Sequence, residues 1–368
     1  MDFTSPPSTK KRLLSTTMPY LINGVEMQLH VEDSSSNMMA TEEIRYTANA
    51  ISHNQDIAAV EILRQQTDMT SVVVMSGGRK YKMPPSAFLH VDAAGPWIRR
   101  CCVVEYDGTD FCGSQAQDQP SLIRTVQEVI EDALSRTTGE TVLPRLRFAS
   151  RTDTGVHARG QEVLLVSRCS ASDRIFRDAL NNRLPHDVQC RSMITLTEAQ
   201  ASFDPCLDAA HKRYEYKVLT GGLRPVACRR NVWHVRKSLD VAMMRTAVNH
   251  LMALPLTKDF SSFTPHKSVN GERGNVCTVF NIQLHVEKED GPDDVQYEED
   301  VATRIRLVFE GDRFRYKMVR NLVGTIVDAG SGRLNPDDIP MILAAKHRGT
   351  AGQGAPPQGL TLVWVKYD

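Results

Sequence analysis

The sequence predicts an α+β protein made of two ferredoxin-like α/β halves whose sheets join, carried behind an N-terminal extension. Three observations support this. From Arg99 to Thr195 the hydrophobic period switches in the order β-α-β-β-α-β. From Arg213 to Lys366 strands and helices recur in a similar, less regular order. Before about residue 96 the chain has its own character, which sets boundaries at 1–96, 97–210 and 211–368.

The extension opens with 17 residues rich in Ser, Thr and Pro, with Lys10, Lys11 and Arg12 against the single acid Asp2. That is the composition of an organelle transit peptide and favours a mitochondrial address over a nuclear or cytoplasmic one. The same basic run also reads as a short nuclear signal or as solubilising charge. Beyond it we expect a strand near Val25 to Val31, a helix from about Thr41 to Gln66, and strands from Thr70 to Met75 and Lys80 to Met83. Ser76-Gly77-Gly78 turns that last pair into a hairpin.

In the first half, Arg99 to Tyr106 is a strand closed by the turn dipeptide Asp107-Gly108. Leu122, Val126, Val129, Ile130, Ala133 and Leu134 recur at helical spacing across Ser121 to Arg136, and Gly139 marks the end. Strands over 145–150 and 161–168 follow Pro144, then a helix from Ser172 to Asn182 and a strand from Val188 to Thr195. In the second half, Arg213 to Leu219 alternates as a strand, and Asp240 to Leu254 is a helix with Met244, Ala247, Val248 and Leu251 on one face. Strands from Val276 to Glu287 and Ala302 to Phe309 flank an acidic loop. Helices from Arg315 to Asp328 and Asp337 to Lys346 and a strand from Leu360 to Lys366 complete the chain. Two such halves can leave a cleft between them.

Composition narrows the function classes. Lys plus Arg at 44 balance Asp plus Glu at 44, so no global field advertises a polyanionic partner, although local basic clusters can line a cleft. The eight cysteines form no Cys-x-x-Cys pair and no nearby Cys/His quartet, so no metal site is expected, and they read as reduced thiols. No apolar run approaches roughly 18 residues, so no membrane span is expected.

The chemistry-bearing stretch runs from Phe148 to Ala158, FASRTDTGVHA. Gly155 supplies a tight turn between two strands. In an extended run Arg151 and Asp153 share a face, where they can hold one ligand or pair with each other. Asp153 is then a nucleophile, a base or half of a structural ion pair. On spacing alone the structural pair takes precedence, because charged loop pairs often do no chemistry.

Motifs in order add specificity: Tyr106-Asp107-Gly108-Thr109; Thr125-Val126-Gln127-Glu128; Arg151 to Ala158; Asn181 to Pro185; Lys212-Arg213-Tyr214-Glu215-Tyr216; Asp259 to Phe263; Met318 to Gly324; and Ala355 to Leu360. From about Arg99 to Asp368 the chain resembles the tRNA pseudouridine synthase I family. The resemblance implies the pseudouridine synthase catalytic fold, with a central antiparallel sheet and an RNA-binding cleft. It also implies isomerisation of uridine in tRNA or rRNA without cofactor or metal. By the same resemblance Asp153 is the catalytic carboxylate, Arg320 its basic partner and Tyr214 the tyrosine that stacks on the target base. Arg151 would fill the gap left by the flipped nucleotide, Leu360 would line the uracil pocket, and His157 would contact substrate. A homodimer is implied too, with residues 1–96 free to bind a protein or ribonucleoprotein partner. Three positions depart from the family pattern: Ser150 where glycine is usual, Ser114 where tryptophan is usual, and Cys206 where an RNA-contacting arginine is expected. These departures and the extension motivate an alternative, a non-catalytic RNA-binding assembly factor that reuses the fold.

Overall fold

The computed structural model describes residues 96–117, 124–140, 143–253, 255–265, 274–288 and 302–368, together with five earlier strands. Two compact units result: Met1–Ile98 with Thr138–Arg145 and Val166–Ser170, and Arg99–Thr137 with Leu146–Leu165 and Ala171–Asp368.

The first unit carries β1 (Thr16–Ile22), β2 (Val25–Glu32), β3 (Glu43–Thr47), β4 (Ser71–Ser76) and β5 (Arg79–Met83), hydrogen-bonded in that order. The β2 strand and the β4–β5 antiparallel pair fall where the sequence places them. The helix expected from Thr41 does not. Glu43–Thr47 is extended, paired antiparallel to β2 and parallel to β4, because Ile44, Tyr46 and Thr47 are strand formers with two partners available. The rest of that expected helix lies outside the described residues.

The second unit is built on one ten-stranded sheet. Its first half supplies β6 (Ile98–Tyr106), helix α1 (Val126–Thr138), β7 (Arg147–Phe148), β8 (His157–Ser167), helix α2 (Asp173–Asn181) and β9 (Val188–Thr195). These strands lie in the order β7, β8, β6, β9, the ferredoxin-like arrangement. The second half supplies β10 (Ala209–Thr220), β11 (Trp233–Val235), helix α3 (Val241–Met252), β12 (Thr257–Asp259), β13 (Val276–Lys288), β14 (Thr303–Gly311), helices α4 (Met318–Gly330) and α5 (Ile339–Ala345), and β15 (Leu360–Tyr367). Its long strands repeat that arrangement as β13, β14, β10, β15.

The halves join where β15 runs parallel to β8, pairing Thr361 with His157 and Leu362 with Ala158. The sheet is therefore mixed rather than wholly antiparallel, since β11 also runs parallel to β10. β13 and β14 form the antiparallel pair expected around the acidic segment, which itself lies outside the described residues.

Element ends follow local chemistry. Helix α1 begins at Val126, later than expected, because Thr125 closes a capping pair with Glu128: the Glu128 N–H donates to the threonine hydroxyl at 3.3 Å and that hydroxyl donates back to the carboxylate at 2.8 Å. Asp240 caps α3 by accepting from the N–H groups of Ala242 and Met243. Helix α4 starts only after Lys317, whose left-handed φ of 57° breaks the helix expected from Arg315. The α4 helix is buried almost throughout, and Met318, Leu322, Val323 and Ile326 are fully enclosed.

The join tolerates no side chain at Gly160. A Cβ there would lie 2.4 Å from the Val363 carbonyl oxygen and 3.1 Å from the Trp364 Cα, both main-chain atoms of β15. Gly160→Ala is expected to destabilise the protein by about 1–3 kcal/mol, as overpacking does elsewhere. Urea unfolding followed by circular dichroism measures it, and an unchanged midpoint would mean that β8 and β15 separate at no cost.

Candidate active site

The catalytic candidate sits in the loop between β7 and β8, which is short and held from several sides. Gly155, at φ 77°, turns the chain, and its N–H donates to the Phe111 carbonyl at 3.2 Å while the Val156 N–H closes on the Asp153 carbonyl at 3.1 Å. Thr152 is buried between them. Its N–H donates to the Ser114 hydroxyl at 2.9 Å, its carbonyl accepts from the Ser114 N–H at 3.1 Å, and its own hydroxyl shares a proton with the Tyr106 phenol at 2.7 Å. Arg151 is exposed, and Asp153 is only part-buried.

Asp153 meets Arg320 rather than Arg151. The Arg320 Nη1 lies 3.4 Å from the Asp153 Oδ2, joining residues 167 apart in sequence. Arg320 is held more closely by the main chain, its Nε donating to the Ala355 carbonyl at 2.7 Å while the Ala355 N–H donates to the Arg320 carbonyl at 2.9 Å. The guanidinium is thus placed by the fold and presented to the carboxylate. Burial pushes the Asp153 carboxyl above its ordinary value, and the charges of Arg320 and then Lys317 pull partway back. Burial wins.

Strand β10 sorts its side chains by alternation. Tyr214 reaches the catalytic loop, and the Tyr216 hydroxyl donates to the Pro356 carbonyl at 2.7 Å. Tyr214 is buried, its hydroxyl 2.8 Å from the Ser150 hydroxyl and its ring edge-on to Phe314 at 5.3 Å. Burial raises the Tyr214 phenol, and the charges of Tyr106 and Asp153 raise it further against the Ser150 hydrogen bond. It stays protonated at neutral pH. Glu215, on the opposite face, binds Arg159 at 2.8 Å and Arg306 at 3.6 Å.

Six residues were expected at the site from sequence. The structure brings Asp153, Arg320 and Tyr214 together and leaves Arg151 exposed on the same loop. Leu360 is buried at the start of β15, opposite Tyr216 and two residues from the Tyr214–Leu362 pair. His157 requires correction: it is buried, and both ring nitrogens are committed to the fold. Its Nδ1 lies 3.0 Å from the Gly108 N–H and 3.1 Å from an Asp107 carboxylate oxygen, and its Nε2 lies 2.9 and 3.1 Å from the carbonyls of Arg230 and Gln358. It positions the loop and has no free edge for substrate. Sequence reasoning missed Gln161 and the Ala355 carbonyl. A polar residue inside the β-prone run before Glu162 was the available signal for Gln161; a main-chain acceptor has none. Of the departures, Ser114 is fully buried as the Thr152 clamp, and Cys206 is exposed in a turn where its N–H donates to Asp204 at 2.8 Å.

The model of a family described as tRNA pseudouridine synthase matches residues 102–204 and 257–368 of the chain. Tyr214 falls between the two matched stretches, and the other candidate residues fall within them. The tRNA pseudouridine synthase A of Oceanobacillus iheyensis is 36% identical over 269 residues, covering 73% of this chain and 96% of that protein. Those of Geotalea daltonii and Brevibacillus brevis are 35% and 36% identical, each covering 72% of this chain and 98% of its own length.

The raised carboxyl has a thermodynamic consequence. The folded protein binds the Asp153 proton more tightly than the unfolded chain does, so this group's contribution to stability is complete below the ordinary carboxylate value and is lost as pH rises through the folded one. Asp153→Asn removes that loss. The variant is expected to melt above the wild type at neutral pH, with the gap closing under acid, as read by scanning calorimetry across pH. A variant that melts lower at neutral pH would show that the Arg320 pairing outweighs burial.

Proposed function

Because the chain belongs to the tRNA pseudouridine synthase family, we propose that it isomerises uridine to pseudouridine in tRNA with Asp153 as the catalytic carboxylate. The observation that carries this reading is the convergence of Asp153, Arg320 and Tyr214 from three segments separated by 61 and 167 residues, according to the positions in the chain. Pseudouridine formation breaks the N1–C1′ bond, turns the uracil, joins C5 to C1′ and gives up the C5 proton while N1 gains one, so the reaction needs a carboxylate, a surface that keeps the detached base and a path for that proton. Asp153 supplies the carboxylate as nucleophile at C1′ or as the base that takes a sugar proton.

Each neighbour has a distinct part. Arg320 offsets part of the desolvation of the half-buried carboxylate and orients it. Tyr214 contributes a ring buried beside Phe314 and a phenol that stays protonated, and stacking on the base is the part that the family resemblance gives it. Arg151, exposed two residues before the carboxylate, can occupy the gap that a flipped nucleotide leaves and bind phosphate. Self-association, a partner for residues 1–96 and a mitochondrial address belong to the same proposal.

Asp153→Ala is expected to lower isomerisation at least about a thousandfold while leaving tRNA affinity within severalfold, because the lost group reacts rather than binds. Pseudouridine mapping of tRNA incubated with each protein, together with filter binding, separates the two effects. Undiminished isomerisation by the variant would remove Asp153 from the chemistry, and stable binding without isomerisation by the wild type would favour the assembly-factor alternative.

A further inference from the structure

Resting on that reading of Asp153 and Tyr214, we propose that Ser150 is a positioning residue, whose hydroxyl registers the Tyr214 phenol to the loop that carries the catalytic carboxylate. The two hydroxyl oxygens lie 2.8 Å apart, and either can donate. No other hydrogen bond to the phenol is made among the described residues.

Ser150 can do this because its main chain is fixed independently of its side chain. The Gln161 side chain is fully buried. It accepts from the Ser150 N–H at 3.1 Å and donates to the Ser150 carbonyl at 2.7 Å. The same amide nitrogen lies 3.4 Å from the Tyr106 phenol, which shares a proton with Thr152 at 2.7 Å. Residues 150 and 152 are therefore tied into one buried hydrogen-bond network, and Asp153 is the next residue along. Tyr214 belongs to a different strand, from the other half of the sheet. Phe314 supports the ring from one edge, but an edge-on apolar contact does not fix where the hydroxyl points. The Ser150 bond does, and it couples carboxylate and phenol within one frame. A glycine at position 150 would keep the Gln161 clamp and lose this coupling.

The clamp also makes the test clean. Ser150→Ala removes only the hydroxyl, because both Gln161 bonds go to main-chain atoms. On tRNA, Ser150→Ala is expected to lower kcat about five- to tenfold with KM within about twofold, the signature of lost orientation rather than lost binding. Tyr214→Phe is expected to lower kcat more. Adding Ser150→Ala to Tyr214→Phe is expected to cost nothing further, since no phenol remains to be held.

A readout free of activity accompanies the kinetics. In protein labelled with 3-fluorotyrosine, the fluorine signal lost in Tyr214→Phe identifies Tyr214 among the nine tyrosines, and Ser150→Ala is expected to move that signal alone. Single-variant effects that multiply in the double variant, an unchanged kcat in Ser150→Ala, or an unmoved signal would each overturn the proposal. A wild-type protein that isomerises nothing would overturn the reading of the site and the proposal with it. The fluorine shift would still distinguish that failure from a wrong contact.

Discussion

Everything at the site depends on the two-residue parallel pairing of β15 with β8. Thr361 meets His157 and Leu362 meets Ala158, and this is where a sheet from residues before 200 meets one from residues after it. Parallel pairs are slightly weaker per residue than antiparallel ones, and two pairs are few. The join holds because the backbones approach where Gly160 has no side chain, and because His157 is buried with its Nε2 near the Gln358 carbonyl just ahead of β15. Four residues before His157 is Asp153. Two residues after Leu360, Leu362 pairs across to Tyr214. The strand pairing that closes the sheet is thus also what sets carboxylate against phenol.

Electrostatics within that frame are a contest between desolvation and two cations, Arg320 first and Lys317 after it. A carboxylate taken out of water loses solvation that a single guanidinium at 3.4 Å only partly restores, so the Asp153 carboxyl is displaced upward although it is ion-paired. The geometry shows why the compensation is partial. Arg320 directs its shortest bond, 2.7 Å, to the Ala355 carbonyl, which leaves its contact with Asp153 longer. An arginine anchored by main chain keeps its position when substrate displaces solvent, whereas one held only by the carboxylate would follow it. The arrangement exchanges ground-state stability for a carboxylate that is oriented and incompletely satisfied, the state a reacting group needs.

Much of this was legible in the sequence, and the limits have physical causes. Helix α3 announced itself through Asp240 and the Met244, Ala247, Val248, Leu251 stripe, and both ferredoxin-like orders followed from period changes. The strands β11 and β12 have three residues each, too few to show alternation. The start of α1 was misplaced although Thr125 and Glu128 carry a capping signature. The parallel join was invisible because it pairs residues about 200 apart, and local pattern contains nothing of that range. At the site, spacing placed Arg151 and Asp153 together, and the structure buries Thr152 between them in the chain. Their pairing did not follow, because Arg320 reaches Asp153 from helix α4. His157 misled for a related reason: a histidine in a loop motif suggests chemistry, while its burial could only come from the tertiary structure.

The balance of charges bears on how a formally neutral chain meets a polyanion. Net charge is zero, yet charge is distributed by pairing. Arg124 is bound to Asp187, Arg147 to Asp204, Arg159 to Glu215, Arg306 to Glu215 and Glu287, Arg213 to Glu310 and Arg333 to Asp328. Each of these cations has its field cancelled within a few ångströms. Arg151 and Lys317 are exposed and make no ion pair among the described residues, and Arg151 lies two residues from Asp153 while Lys317 is close enough to lower its carboxyl. Eight of the 44 acidic residues collect from Glu287 to Asp300, in another part of the chain. Uncancelled positive charge therefore stands beside the carboxylate, where it attracts phosphate by local field although the molecule as a whole has none. A short-range field of this kind is screened within about 10 Å at ordinary salt, so it is confined to the surroundings of the carboxylate.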